Sequence, residues 1–420
     1  MNKYSKLFLF SLVVAQLSAE QILIKGGTIF DGKNEAFIAD ILIEDGKVAK
    51  ISSNISARAN EIIDASDRII TPGIMAPQTQ IGIIEIGAIS ATKDTSSDIY
   101  TIGFSIYDAF NPNSTLVPWN RSNGVTSAIS LPDLDYDPLS GLASFFLLDS
   151  KLQVNGIKDL AIIGEIGGST GGSRAESLAL LEDLLNFGIS ISDEDALSDE
   201  ELGDLAEDNK IASELDLTPR DTRALYRVFR ENLPLLMRVN RASDILKLIE
   251  IKKKFNINLI IMDAQEANLV ATDLAENNIA VIINPVDNIP DSFDELASNI
   301  NLAATLESAG VTIMFSESRS HNYHLIRQNA GNAVANGMSY LGAIKGLTSN
   351  VASSFGISGR GTIQEGNNAD IVIWEGDPLE PSIMPLNVFI NGENMDLSSR
   401  ATSLTKRYTN PSDKPNTYKK

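Results

Sequence analysis

The 420-residue chain contains no cysteine and only two histidines. The lack of cysteine excludes disulfides, thiolate nucleophiles and Cys-ligated zinc or iron–sulfur sites. Two histidines cannot build a metal centre that needs three or four imidazoles. Basic residues are also scarce: 34 Lys+Arg stand against 55 Asp+Glu, for a net charge of -21. That balance argues against nucleic acid and against anionic membrane surfaces as partners. What is present is a 43% hydrophobic chain with mixed charge, the composition of a soluble globular protein. Its length suggests two or three domains, or one large barrel with an appendage.

Residues 1–19 read as a targeting segment. Lys3 and Lys6 give a positive start, Leu7–Ala15 is a short apolar run, and Leu17-Ser18-Ala19 offers a small residue before a cut at Glu20. The run is too short to anchor in a bilayer, so the expectation is an exported protein, periplasmic or secreted, with no membrane insertion.

Both ends of the remaining chain read as β structure. Ile22–Ile24 and Thr28–Phe30 flank Gly26-Gly27, and Ile38–Glu44 and Lys47–Ile51 flank Asp45-Gly46, a tight hairpin signal. Far along the chain, Ala369–Trp374 alternates like a strand, and Asn387–Ile390 runs into Asn391-Gly392. The middle alternates between apolar runs (Gly124–Ser130, Leu160–Ile163, Leu233–Val239, Leu259–Met262, Ala280–Ile283, Val311–Phe315) and helical patterns. Helices are expected over Arg174–Leu185, Ala242–Phe255, Glu266–Glu276, Phe293–Ala309 and Gly331–Gly346. This alternation indicates a parallel α/β fold. The tail over 408–420 reads as disordered.

Three local features have bland readings. Asp193–Asp208 carries nine acidic residues and no basic one, without calcium-loop spacing, and reads as a solvated acidic insertion. Gly164–Gly172 (GEIGGSTGG) lacks the Gly-Lys-Ser/Thr ending of a P-loop and reads as a loop after a strand. In a barrel that end carries the active site, so the loop is also a candidate substrate contact. His321 and His324 lie three apart; two imidazoles without further placed ligands suit hydrogen bonding better than a metal.

Ile69–Gln80 (IITPGIMAPQTQ) resembles the entry to the first barrel strand of the amidohydrolase superfamily, where a "TPGLID" segment leads to His-x-His. Ile24–Phe30 (IKGGTIF), Ile43–Val48 (IEDGKV) and Gly361–Pro378 (GTIQEGNNADIVIWEGDP) resemble its flanking β domain, and Gly331–Gly337 (GNAVANG) its last barrel helix. The exported, imidazolonepropionase-like members are the most similar. The resemblance implies a distorted (β/α)8 TIM-like barrel over 73–355 and a small β-sandwich from 20–72 and 356–400. It implies hydrolysis of non-peptide C–N bonds in small amides or cyclic ureides by metal-activated water, and a homo-oligomer.

The departures from that pattern fall on its metal ligands. Gln78-Thr79-Gln80 stands where the family has His-x-His. Arg238 falls at the strand-five histidine, Asp263 at the strand-six histidine, and Glu317 at the strand-eight aspartate that is ligand and base; the bridging lysine has no clear counterpart. Carboxamides are poor zinc ligands and a guanidinium repels divalent ions. The expectation is therefore no metal and no cofactor, with Arg238 standing in for the metal charge among Asp263, Glu317, Gln78 and Gln80. Losing Arg238 from a buried cluster of that kind should cost about 3–5 kcal/mol.

Two functions fit. In an enzyme, Glu317 or Asp263 acts as general base and Arg238 steadies an oxyanion, with Gln78, Gln80 and His321 as substrate contacts. In a non-catalytic descendant, the same groups bind a small carboxylate or amide ligand or a partner protein.

Overall fold

A computed structural model describes residues 21–136, 138–167, 173–193, 197–317 and 319–409. The expected targeting segment, residues 168–172 of the glycine-rich loop, residues 194–196 of the acidic stretch and residues 410–420 of the tail lie outside the described residues. Tyr408 and Thr409, expected to be disordered, end the helix Arg400–Thr409.

The two ends build one sheet. Its strands are β1 (Gln21–Ile29), β2 (Phe37–Glu44), β3 (Lys47–Ser52), β4 (Glu61–Asp64) and β5 (Ile69–Pro72) from the beginning of the described chain. The barrel strands follow: β6 (Ile74–Thr79), β7 (Val125–Ser130), β8 (Leu139–Leu147), β9 (Gly156–Glu165), β10 (Leu235–Val239), β11 (Leu259–Asp263), β12 (Ala280–Ile283) and β13 (Ile313–Phe315). β14 (Ile371–Trp374), β15 (Pro385–Ile390) and β16 (Glu393–Asn394) return to the first sheet, whose order is β16-β15-β14-β5-β1-β2-β3, with β4 beside β1.

Local chemistry sets the turns of this sheet. Asp45 and Gly46 both have positive φ (50° and 77°), the backbone of a type I′ hairpin, as do Asn391 and Gly392 at 49° and 76°. The Gly26-Gly27 pair does not break β1; it makes a bulge between Ile24 and Gly27. The inward residues Ile24, Ile41, Ile43, Ile70, Ile371 and Phe389 form a core of their own.

The second sheet is an eight-stranded, nearly closed barrel running β6 to β13 in chain order, with β13 returning beside β6. The fold class is α/β: a distorted TIM-like barrel beside a β-rich part built from both ends. The distortion is β8, which pairs antiparallel with both β7 and β9. It was missed in the sequence because no helix separates it from its neighbours, and both of its faces are buried.

Helices cover the barrel. Ala242–Phe255 forms as expected, with three lysines in its last turn and Asn256 left-handed (φ 52°) at its end. The expected helix Phe293–Ala309 is shortened to Leu302–Ser308. Upstream of it, Asp294 pairs with Arg174 and Arg241, and Glu295 accepts from Asn240. These tertiary contacts hold the segment out of a helix. Gly331–Gly346 divides into Ile326–Ala335 and Tyr340–Leu347 at Gly337 (φ 102°), after which Ser339 caps the second helix. The acidic stretch is more than a solvated insertion: Asp199–Asp208 is a helix with a Ser198/Glu201 capping box that buries Leu202 and Ala206.

A candidate active site at the barrel mouth

The strand ends bring the sequence candidates together. Gln78 lies in β6, Arg238 in β10, and Asp263 closes β11; Gln80 immediately follows β6, and Glu317 stands two residues after β13. All are at the C-terminal ends of the strands, the face where barrel enzymes place their chemistry. Gln78, Gln80, Arg238 and Glu317 line a cleft of about 330 Å³ there. A cavity of about 300 Å³ at the opposite end, around Asn258, Ala280 and Thr312, has no charged lining residue. The mouth is therefore the better place for polar chemistry.

Arg238 is held by carboxylates from both neighbouring strands. Its Nε stands 3.0 Å from Asp263 Oδ2, and its Nη1 stands 3.8 Å from Glu165 Oε1. Strand register explains this: Arg238 is paired with Glu165 across β9–β10 and with Met262 across β10–β11. Gln78 Nε2 donates to the other oxygen of Asp263, Oδ1, at 3.1 Å. The Arg238 Nε contact is off line, and Gln78 Oε1 and Arg238 Nε are both buried without a hydrogen-bond partner among the described residues. Asp263 and the next residue, Ala264, both have positive φ, 70° and 51°. Consecutive left-handed non-glycine residues are costly and concentrate where a site demands a particular side-chain aim.

The remaining candidates have other partners. Gln80 Nε2 donates to Asp133 Oδ1 at 2.7 Å, and its backbone N–H donates to the Tyr323 hydroxyl at 2.9 Å. Glu317 was expected beside Arg238; no ion pair between them is present among the described residues. Asn329 Nδ2 donates to Glu317 Oε2 at 3.3 Å and to the Ser316 carbonyl at 2.8 Å. His321 is exposed and does not line the cleft. His324 accepts from Trp119 Nε1 at Nδ1 (3.1 Å).

Five further groups at or near the cleft are not singled out by the sequence. Glu165 falls at the start of the glycine-rich stretch in sequence, but it is the last residue of β9. The apolar run Leu160–Ile163 leading into it was the available signal. Asp133 and Asp135 follow β7 and line the cleft. Burial raises the pKa of Asp135, and the Asp133 and Asp98 charges push the same way. Burial likewise raises Tyr323, which sits between the two histidines. Outside the lining, Asp287 remains accessible, yet partial burial and then the Glu317 and Asp263 charges raise it against the lowering bond from Asn284.

A zinc-type centre does not fit this donor set. The cleft offers no imidazole, and a guanidinium stands against the carboxylate that a metal would need. Among the described residues, no group of three or more His, Asp or Glu side chains is placed to hold a metal.

The comparisons agree with the geometry. The model of the "Amidohydrolase family" matches residues 239–395, beginning one residue after Arg238. A dihydroorotase from Pelotomaculum thermopropionicum is 26% identical over 181 residues, covering 41% of this chain and 35% of that protein. Dihydropyrimidinase 1 of Caenorhabditis elegans is 36% identical over 109 residues, covering 24% of this chain and 22% of that protein. The matched stretches thus span about a third or less of these curated relatives. The crystal structure of an amidohydrolase from Thermotoga maritima superposes with a TM-score of 0.77 at 24% identity, covering 89% of this chain and 99% of that one. The chain thus shares the barrel and flanking sheet of that structure, and it is similar to the amidohydrolase family from the end of the fifth barrel strand into the closing sheet.

Proposed function

We propose that the cleft hydrolyses a non-peptide C–N bond in a small cyclic amide or ureide without a zinc-type centre. The names of two relatives, a dihydroorotase and a dihydropyrimidinase, support the ligand class. One observation carries the mechanism: Arg238 is engaged by Asp263 and Glu165, while Glu317 lines the same cleft outside that ion pair. The base is thereby kept apart from the cation that would weaken it.

In this reading Glu317 takes a proton from water as the water oxygen bonds to the ring carbonyl carbon. Arg238 stabilises the developing oxyanion. The C–N bond then breaks, and the proton passes from Glu317 to the leaving nitrogen, opening the ring. General-base assistance contributes about 10²–10⁴-fold. The test is ring opening of hydantoin and dihydrouracil by protein treated with chelator and checked by elemental analysis. Glu317→Gln should lower the rate by about 100-fold while ligand affinity is kept. A rate that appears only with added zinc, or that Glu317→Gln leaves unchanged, overturns the reading.

A second reading is a non-catalytic binding protein. The engagement of Arg238 by two carboxylates, at a position the resemblance assigns to a metal ligand, favours it. Its signature is a ligand that raises the melting temperature and is recovered intact. We also infer export after cleavage near Ala19, checked by N-terminal sequencing of the secreted form, and self-association, checked by sedimentation.

A further inference from the structure

The charges around the cleft point to a particular kind of ligand. Asp133, Asp135, Glu165 and Glu317 line it, and Asp263 backs it through Gln78 and Arg238. Among the described lining residues Arg238 is the one cation. Its charge is already matched by Asp263 and Glu165. Asp133 is occupied by neutral donors, Gln80 Nε2 and the Thr95 hydroxyl, which leave its charge unbalanced. Glu317 is held by an amide and a backbone N–H, from Asn329 and Arg319. Among the described residues Asp135 has no hydrogen bond or ion pair of its own, and Asp287 lies close enough to feel Glu317 and Asp263.

The nearby cations do not offset this. Arg174 and Arg241 are paired with Asp244 and Asp294, in the segments beyond β9, β10 and β12. The exposed Arg319 side chain does not line the cleft. A ligand carboxylate would have to share Arg238 with Asp263 and Glu165 and with the reacting carbonyl, and would face unbalanced carboxylates on the β7 and β13 sides. A ligand ammonium or guanidinium would find Asp135 open to it, with the unbalanced charge of Asp133 beside it.

We infer that the ligand of this cleft carries a positive charge: a primary amine or guanidinium on a side arm beside the amide ring, directed at Asp135 and the unbalanced charge of Asp133, away from the base Glu317. This rests on the reading that the mouth cleft is the working site. It goes further by excluding anionic ring substrates, and it replaces the carboxylate ligand expected from Arg238 alone. The low-dielectric walls given by Ile163, Leu131 and Met262 focus the field of these carboxylates.

Two measurements on the full chain test it. The first compares three 5-substituted hydantoins of similar size on the wild-type protein, carrying an aminopropyl, a propyl or a carboxyethyl arm. The aminopropyl compound should bind about tenfold more tightly than the propyl one, and the carboxyethyl compound most weakly, with the spread shrinking as salt is added. Asp135→Asn should narrow the amine advantage several-fold. The second measurement uses the absence of native cysteine. Leu134→Cys places one thiol on the cleft lining, and its rates with a cationic and an anionic methanethiosulfonate are compared with those of a small free thiol. The cationic reagent should gain about tenfold over that reference.

The outcomes separate the two ideas. Hydantoins that bind with no charge order, or a preference for the carboxyethyl arm, overturn the inference and leave the cyclic-amide reading standing. If no hydantoin binds but the cationic reagent is favoured, the ring chemistry fails and the charge class stands. A thiol rate ratio at or below the reference overturns the inference whatever the hydantoins do.

Discussion

Arg238 and Asp263 meet at the ends of adjacent strands, Nε to Oδ2 at 3.0 Å, with Glu165 closing on the guanidinium from the other side. The pair is not deeply buried: the side chains are 38% and 30% exposed. Solvent screening therefore reduces the 3–5 kcal/mol expected for breaking a buried pair to about 1–2 kcal/mol. A double-mutant cycle on Arg238→Met and Asp263→Asn, read by urea denaturation, should return a coupling of about 1 kcal/mol. A coupling of zero would mean that the contact organises nothing. A single-mutant loss above about 4 kcal/mol would restore the fully buried picture.

His324 provides a pH signature. Burial first, and then the Arg327 and His321 charges, lower its pKa to about 4. The Trp119 indole N–H, donating to Nδ1, also requires that nitrogen to be unprotonated. The unfolded chain holds the proton up to about pH 6.5. The stabilising contribution is thus fully present above that pH and is lost as pH falls towards 4, with a slope of up to about 1.4 kcal/mol per pH unit. Urea midpoints of wild type and His324→Gln should converge as pH is lowered from 7 to 4.5. A constant gap between them would sink this assignment.

The legible part of this protein was whatever local chemistry dictates. Asp45-Gly46 and Asn391-Gly392 announced their hairpins because few other dipeptides accept two positive φ values. Ala242–Phe255 announced its helix through period and charge. The site was legible by strand: Gln78, Arg238 and Asp263 lie near one another because each stands at the C-terminal end of a barrel strand, within one residue of its last position. Partner choice was not legible. Arg238 takes Glu165 because β9 and β10 are paired in a register that no sequence pattern states. Glu317 takes Asn329 because the helix Ile326–Ala335 folds back over the end of β13. β8 was illegible for a related reason: a buried antiparallel strand between parallel ones carries no alternation to read.

Arg327 joins the barrel to the flanking sheet. It is 2% exposed, lies over the Trp374 ring at 5.4 Å and donates to the carbonyls of Pro378, Glu380 and Pro381. Burial lowers its pKa to about 10, so it remains charged at neutral pH. Arg327→Met should destabilise by about 2–4 kcal/mol, because carbonyls of that loop lose their donor. The same junction depends on Gly124, whose φ of +90° disfavours a side chain and whose Cβ would overlap the Trp374 indole. Gly124→Ala should cost at least about 2 kcal/mol by overpacking and strain together. Both losses are to be read by denaturation, with cleft affinity unchanged in the folded fraction.

Ala264 makes the opposite prediction from the usual one. Replacing a buried alanine by glycine ordinarily costs about 1 kcal/mol through chain entropy and lost contact. Here the backbone is left-handed at φ 51°, following Asp263 at 70°, and glycine relieves that strain. The two effects nearly cancel, so Ala264→Gly should leave stability within about 0.5 kcal/mol of wild type. What it should change is aim. Asp263 receives the Gln78 amide and faces Arg238 through this bend. A freer bend lets the carboxylate wander, and affinity for a cleft ligand should fall several-fold without a matching loss of stability. Equal loss of both would mean that the bend serves only the fold. A gain in affinity would mean that the bend opposes the geometry the ligand needs.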